Sequence, residues 1–295
     1  MTEAARAEGT IYDLGYQRYK GQRLGRGNAI RTLFGYSFRT AFGLGRGERA
    51  KLAPFAIVLF CFMPAVVRVG VAMATGQVAL INYAQHLEFT AFWLALYAAS
   101  QAPELIVTDR QFGTLALYLS RPLRATDYMV AKFCALTAAL LILTLGPQLF
   151  LFSGKLLVAE ELFPAFRAEW RTLLPIAGGS IGASLLFASI GLALSSLASK
   201  RNYANAAVIG FFLLTSAIVA MFYSITSGDL RRYVVLAHPV WVMNGFVNWL
   251  FDVEARRRSV VGRADLPGEY YLYVILGVCA IAMTALFLQY RNRDE

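Results

Sequence analysis

Apolar residues in this chain fall into blocks of roughly 20, at 53–75, 87–107, 129–152, 172–198, 204–225 and 270–290. A helix of that length crosses the hydrocarbon core of a bilayer. In lipid the backbone must satisfy its own hydrogen bonds, so such blocks are helices, and the period-2 alternation of a membrane barrel is absent. The pattern predicts an all-α polytopic membrane protein with six transmembrane helices. Residues 1–52 form a polar N-terminal region and 53–295 the membrane domain. The opening stretch, MTEAARAEG, holds no signal-peptide core. Residues 1–27 read as a partly ordered tail.

One amphipathic segment precedes the first block. In NAIRTLFGYSFRTAF, residues 28–42, Ile30, Phe34, Phe38 and Phe42 are four apart and share a helical face. Arg31 and Arg39 lie off that stripe, and Asn28 is placed to cap the start. This is the pattern of an interfacial helix on a membrane surface; a helix packed on protein would look the same. Near the other end, residues 234–251, VVLAHPVWVMNGFVNWLF, are almost long enough to span. His238, Pro239, Asn244 and Asn248 make a poor lipid-facing helix, and Trp241 and Trp249 suit an interface. A re-entrant or interfacial helical segment is the favoured reading, with a seventh span as the alternative.

The net charge of +10, from 28 Lys and Arg against 18 Asp and Glu, is placed mostly between apolar blocks. Those residues set orientation in the membrane and do not form a nucleic-acid surface. Ten Lys or Arg precede the first block, Arg110, Arg121 and Arg124 follow the second, Lys200 and Arg201 follow the fourth, and RNRDE ends the chain. All four segments are expected in the cytosol, so both termini are too. The loop 226–269 carries six arginines and is placed outside, where a long loop strains the rule least.

Enzyme chemistry finds little support. There is no GxxxxGK[ST], so this sequence has no phosphate-cradling loop and no means of hydrolysing ATP. The GRG triplets at 25–27 and 45–47 lack the strand context of a dinucleotide loop. No HExxH occurs, and the two histidines, His86 and His238, are too few for a metal site. Cys61, Cys134 and Cys279 sit singly in apolar blocks, as small buried hydrophobes do. Gly178-Gly179-Ser180-Ile181-Gly182 matches GxSxG, which in an intramembrane hydrolase would make Ser180 a nucleophile. Small residues four apart on an apolar helix serve close helix packing instead, and packing is the favoured reading. Arg68, inside the first block, either lines a polar path or snorkels to the surface. Lys132, one turn into the third block, is expected to snorkel.

The segment 103–132, PELIVTDRQFGTLALYLSRPLRATDYMVAK, is amphipathic and carries both charges. Its residues could dock a partner or bind lipid head groups. Asp109-Arg110, Gly113-Thr114-Leu115, Ser120-Arg121-Pro122-Leu123, Tyr128 and Lys132 resemble the stretch between the second and third spans of ABC-2 type permeases. SLASKRNYANA, residues 196–206, is similar to that family's turn between spans four and five, and His238-Pro239 to its external segment. Residues 11–26 look like actinobacterial members. Asp109 stands where many members have Glu, and His238 where Asn is frequent.

The resemblance implies the membrane subunit of an ATP-binding-cassette transporter in a bacterial plasma membrane. It also implies a second permease chain, as a homodimer, and two copies of a separate ATPase subunit. ATP and Mg would reside on that partner, with no cofactor on this chain. Arg31, Arg39, Asp109, Arg110, Phe112, Gly113, Thr114, Leu115, Arg121, Pro122 and Arg124 would then meet the ATPase. Glu104, with Arg68 and Lys132, would lie at the gate or along the path. Export of an amphiphilic, lipid-like or drug-like substrate follows, against two alternatives: the hydrolase, and an ATPase-driven regulator that moves an external partner.

Overall fold

The computed structural model describes residues 24–114, 118, 123–159, 161–253 and 260–291. Every regular element among them is helical. The order is α1 (Arg26–Ala41), α2 (Glu48–Thr75), α3 (Tyr83–Gln111), α4 (Ala125–Val158), α5 (Leu162–Glu169), α6 (Leu173–Leu197), α7 (Arg201–Ile225), α8 (Asp229–Val234), α9 (Pro239–Leu250), α10 (Val260–Ala264) and α11 (Gly268–Arg291). Single 3₁₀ turns lead into α3, join α5 to α6 and join α8 to α9.

Among the described residues, five helices are long and apolar enough to cross a membrane: α2, α4, the run from α5 through α6, α7 and α11. The sixth long helix, α3, has 29 residues, about 43 Å at 1.5 Å per residue. It carries Glu88, Glu104, Asp109 and Arg110. It can do so because it is the central post of the bundle, packed by α1, α2, α4, α6, α7 and α9. Its Ala91, Leu94, Ala98 and Ala102 are fully buried. A helix sheathed by protein need not be apolar all round, whereas α2 and α7 expose rows of large apolar residues such as Leu59, Met63, Leu213 and Met221.

Helix α1 is present and amphipathic, and its seat is on protein. It packs along α4 and touches α3. Leu33, Ser37, Thr40 and Ala41 are its buried residues, with the stripe Ile30, Phe34, Phe38 and Phe42 half-buried against the same core. Phe34 stacks on Phe38, which meets Phe42 edge-on. Asn28 does not cap the helix. The helix begins two residues earlier at Arg26, behind Gly25, and Asn28 lies inside the first turn, its carbonyl accepting from the Thr32 hydroxyl at 2.8 Å.

Residues 234–251 do not form a seventh span. The stretch is broken before Pro239, and α9 has 12 residues, about 18 Å, well short of the roughly 30 Å core. It docks on α3, α6 and α11. Proline at its first position sacrifices no helical hydrogen bond. His238 is the N-cap, its Nδ1 accepting the Trp241 N–H at 3.3 Å. This is the job asparagine does at helix starts, which accounts for the histidine here. His238→Asn is expected to keep the stability of the wild-type chain, and His238→Leu to lose about 1 kcal/mol; thermal unfolding in detergent would show both.

The glycines of the GxSxG stretch make room for α9. A Cβ on Gly182 would lie 2.5 Å from the Phe246 ring, and one on Gly179 3.2 Å from Leu87 and 3.7 Å from Val247. Gly178 faces Leu250 at 3.4 Å. Asn248 Nδ2 donates to Glu88 Oε1 at 2.9 Å, adding a polar tie from α9 to α3.

Candidate functional site

The chemistry-bearing residues of the 103–132 segment gather where α3 ends and α4 begins. Gly113 takes φ +69°, the left-handed conformation that ends helices, and a Cβ there would meet nothing but strain. The turn sends the chain back, so that Thr114 donates its hydroxyl to the Asp109 carbonyl at 3.1 Å and carboxylate at 3.3 Å. The same carboxylate accepts from Tyr128 at 2.8 Å and pairs with Lys132 at 2.7 Å. Lys132 is 1% exposed and Asp109 8%. Lys132 therefore does not snorkel: one turn into α4 it points into the bundle, where an acid compensates its charge. A buried ammonium needs such a partner, because an unpaired one would cost several kcal/mol.

Arg110 turns the other way. Its guanidinium donates to the carbonyls of Ser196, at 2.9 Å, and Ala198. Gln289 of α11 donates to the same Ser196 carbonyl at 2.6 Å. These are among the last carbonyls of α6, which have no partners within their own helix and form the negative end of its dipole. The acid–arginine pair at 109–110 thus ties α3 to α4 with one residue and caps α6 with the next.

One turn back from this pair, Glu104 is buried between two arginines. Arg46, in the α1–α2 connection, pairs with its Oε1 and donates to the Thr40 carbonyl at 2.6 Å. Arg201, at the start of α7, pairs with its Oε2 at 2.8 Å. Arg26 makes a two-pronged contact with Asp127 of α4, both bonds 2.7 Å, and that carboxylate raises the pKa of the guanidinium through the hydrogen bonds. The arginines of both GRG triplets are therefore anchors that clamp α1 and its exit to α4 and α3. Neither was singled out from the sequence, where they read as orientation charges. The available signal was Glu104 itself, since an acid in an apolar block calls for a cation.

The remaining expected residues stay at the surface. Arg31 and Arg39 are exposed on α1, Arg124 is exposed at the N-cap of α4, and Phe112 is 76% exposed. Leu115, Arg121 and Pro122 lie outside the described residues. So does most of the tail preceding α1. Arg68 is remote from this end; it is half-buried on α2 and donates to the Asn82 carbonyl at 3.0 Å, bracing the turn into α3. Aromatics of the spans are engaged in packing: Trp93 stacks on Phe60 at 4.3 Å, Phe212 meets Phe187 at a tilt with centroids 5.7 Å apart, and Tyr97 donates to the Ala41 carbonyl.

Ser180 is fully buried, and its Oγ makes no hydrogen bond among the described residues. Neighbouring Ser184 donates to the Ser180 carbonyl at 2.7 Å. Among the described residues no cluster of three His, Cys, Asp or Glu could hold a metal ion.

A bundle of apolar helices around a polar central post, with charged anchors collected at one end, defines a polytopic helical membrane protein. The chain belongs to the family described as ABC-2 family transporter protein, matched over residues 61–294. It is similar to the protein named Probable ABC transporter permease protein NosY of Pseudomonas aeruginosa, with 29% identity over 232 residues, covering 73% of this chain and 82% of the relative.

Proposed function

We propose that this chain is the membrane-spanning subunit of an ATP-binding-cassette transporter, powered by a separate ATPase, and that the Asp109 end of the bundle is where the ATPase docks. The family match over 61–294 carries this reading, together with a sequence that contains no GxxxxGK[ST] of its own. The docking surface would comprise Phe112 and Arg124 with the exposed arginines of α1, Arg31 and Arg39. Directly behind it, Asp109–Lys132, Arg110 and Glu104 bind α3 to α1, α4, α6 and α7, so a push on the surface would reach most of the bundle at once. In this reading α3 is the sixth span. The segments 1–52, 108–128, Lys200-Arg201 and the C-terminus face the cytosol of a bacterial cell.

Two copies of the chain and two of the ATPase would form the working unit. The favoured cargo is an amphiphile exported between the copies, because the exposed faces of α2 and α7 offer a moving molecule apolar side chains along their length. The hydrolase alternative asks Ser180 to be activated by a base, and its Oγ has no hydrogen-bond partner among the described residues.

Purification in a gentle detergent, followed by mass spectrometry, is expected to recover a stoichiometric P-loop ATPase. Phe112→Glu should lower that recovery severalfold while leaving the chain folded, because the side chain is mostly in solvent. A chain that purifies alone, with no nucleotide-dependent behaviour, would sink the transporter reading. Ser180→Ala should retain full transport; loss of activity in a folded S180A protein would favour the hydrolase.

A further inference from the structure

At the end of the bundle opposite Asp109, α7 finishes beside α8 and α10. A cavity of about 270 Å³ lies there, lined by Tyr223, Gly228, Arg231, Arg232, Arg263 and Ala264. We propose that this cavity binds a phosphate group, carried by an anionic lipid headgroup or free in solution. The proposal does not depend on an ATPase partner.

Among the described residues, half of the lining is arginine and none of it is an acid. Arg231 is held in place by its guanidinium lying over the Tyr223 ring, 4.2 Å from the centroid. Its Nε is buried and has no hydrogen-bond partner among the described residues. A charged donor left unsatisfied in this way is destabilising, and a ligand that accepts from it removes that cost. Arg232 is fixed by the carbonyls of Ala264 at 2.8 Å and Asp265 at 2.7 Å. Its only acid partner among the described residues, the Asp265 carboxylate, is 3.5 Å away and 92% exposed, so the pair neutralises little. Arg263 is exposed across the cavity and makes no ion pair among the described residues.

Three guanidinium groups around one hollow repel each other, and an anion between them removes that cost. Arginine's planar fork matches phosphate oxygens two at a time. The Nε of Arg231 is the donor such an oxygen would satisfy. The volume exceeds the roughly 30 Å³ share of one water several times over, which leaves space for a phosphate. The position, beside the last turn of an apolar helix whose outer face is bare, suits a headgroup whose acyl chains lie along α7. A free phosphate would use the same donors.

The test uses the full-length protein. Native mass spectrometry would count phospholipids retained after reconstitution in mixed phosphatidylglycerol and phosphatidylcholine nanodiscs, and calorimetry would titrate inorganic phosphate into detergent-solubilised protein. Expected are preferential retention of phosphatidylglycerol and its competition by inorganic phosphate. Arg263→Gln and the double variant Arg231→Lys/Arg263→Gln should weaken binding, the double by about tenfold or more. Arg263→Gln changes only an exposed side chain, so it reads binding without disturbing the fold. Arg167→Gln, an exposed arginine on α5 at the same end, should change nothing. Phosphate binding without preference for phosphatidylglycerol would assign the site to the free anion. Equal binding of both probes by the wild-type and double-variant proteins, or an equal loss in Arg167→Gln, would overturn the proposal.

Discussion

Lys132→Met is expected to destabilise the chain by about 3–5 kcal/mol, the usual consequence of leaving one partner of a buried ion pair alone. The substitution strands the Asp109 carboxylate, which is 8% exposed and, among the described residues, keeps the Tyr128 and Thr114 hydroxyls. Asp109→Asn together with Lys132→Met should recover most of the loss, because a neutral side chain can still accept from Tyr128 and methionine fills the volume of the lysine stem. Thermal unfolding of the two single variants and the double in one detergent gives the coupling directly. If K132M melts with the wild-type protein, Lys132 reaches water by some other route and the pair does not hold this end together. A double variant that folds but no longer transports would separate the pair's role in coupling from its role in stability.

Gly245→Leu is expected to dislodge α9, at a cost of about 3 kcal/mol, the upper part of the range for overpacking. A Cβ at Gly245 runs into the Tyr271 ring of α11, just as one at Gly268 runs into Trp249. Tyr271 is buried and has little space to swing aside. Since α9 is also seated on Gly178, Gly179 and Gly182, its displacement should open the whole segment between α7 and α11. Trypsin would then cut more rapidly at Arg231, Arg232 or Arg263. Gly277→Leu is the control, because a Cβ at Gly277, on α11, meets nothing within 4 Å. Equal proteolysis of the two variants would mean that the close approach of α9 is not what holds it.

These two expectations concern contacts that no periodicity reveals. In both, a residue that reads as a generic feature of a membrane helix turns out to have one particular partner. Lys132 looks like a snorkelling lysine because the sequence shows only its distance from the start of an apolar block. Whether it turns to the surface or the bundle depends on Asp109, more than twenty positions away, being folded against it. Arg26 and Arg46 look like orientation charges for the same reason. The positive-inside pattern counts them as orientation charges, and it cannot say that each meets an acid on α4 or α3.

The elements themselves were legible. Five of the six apolar blocks fall inside long helices and the sixth, 172–198, overruns α6 by one residue at each end, because length and hydrophobicity in lipid leave the backbone no other solution. Charged segments between them were legible as well, and the structure brings Arg46 and Arg201 to Glu104 and sets Arg110 on the Ser196 carbonyl. The motif at 109–114 could be recognised, whereas the division of labour within it, with Asp109 on α4 and Arg110 on α6, could not.

By itself, then, the chain's sequence determined the all-α character and the placing of its long apolar helices, the amphipathic start, the poor fit of 234–251 to lipid and the family resemblance. All of these rest on local composition and spacing, which act within one helix. Tertiary structure alone decided that α1 lies on protein, that α3 is the sheathed post able to carry four charges, that the GxSxG glycines receive α9, and that the anchors at the Asp109 end pair with Glu104, Asp109 and Asp127 or, for Arg110, with the last carbonyls of α6. Those outcomes depend on which helix faces come together, and the partners that decide them are far apart along the chain.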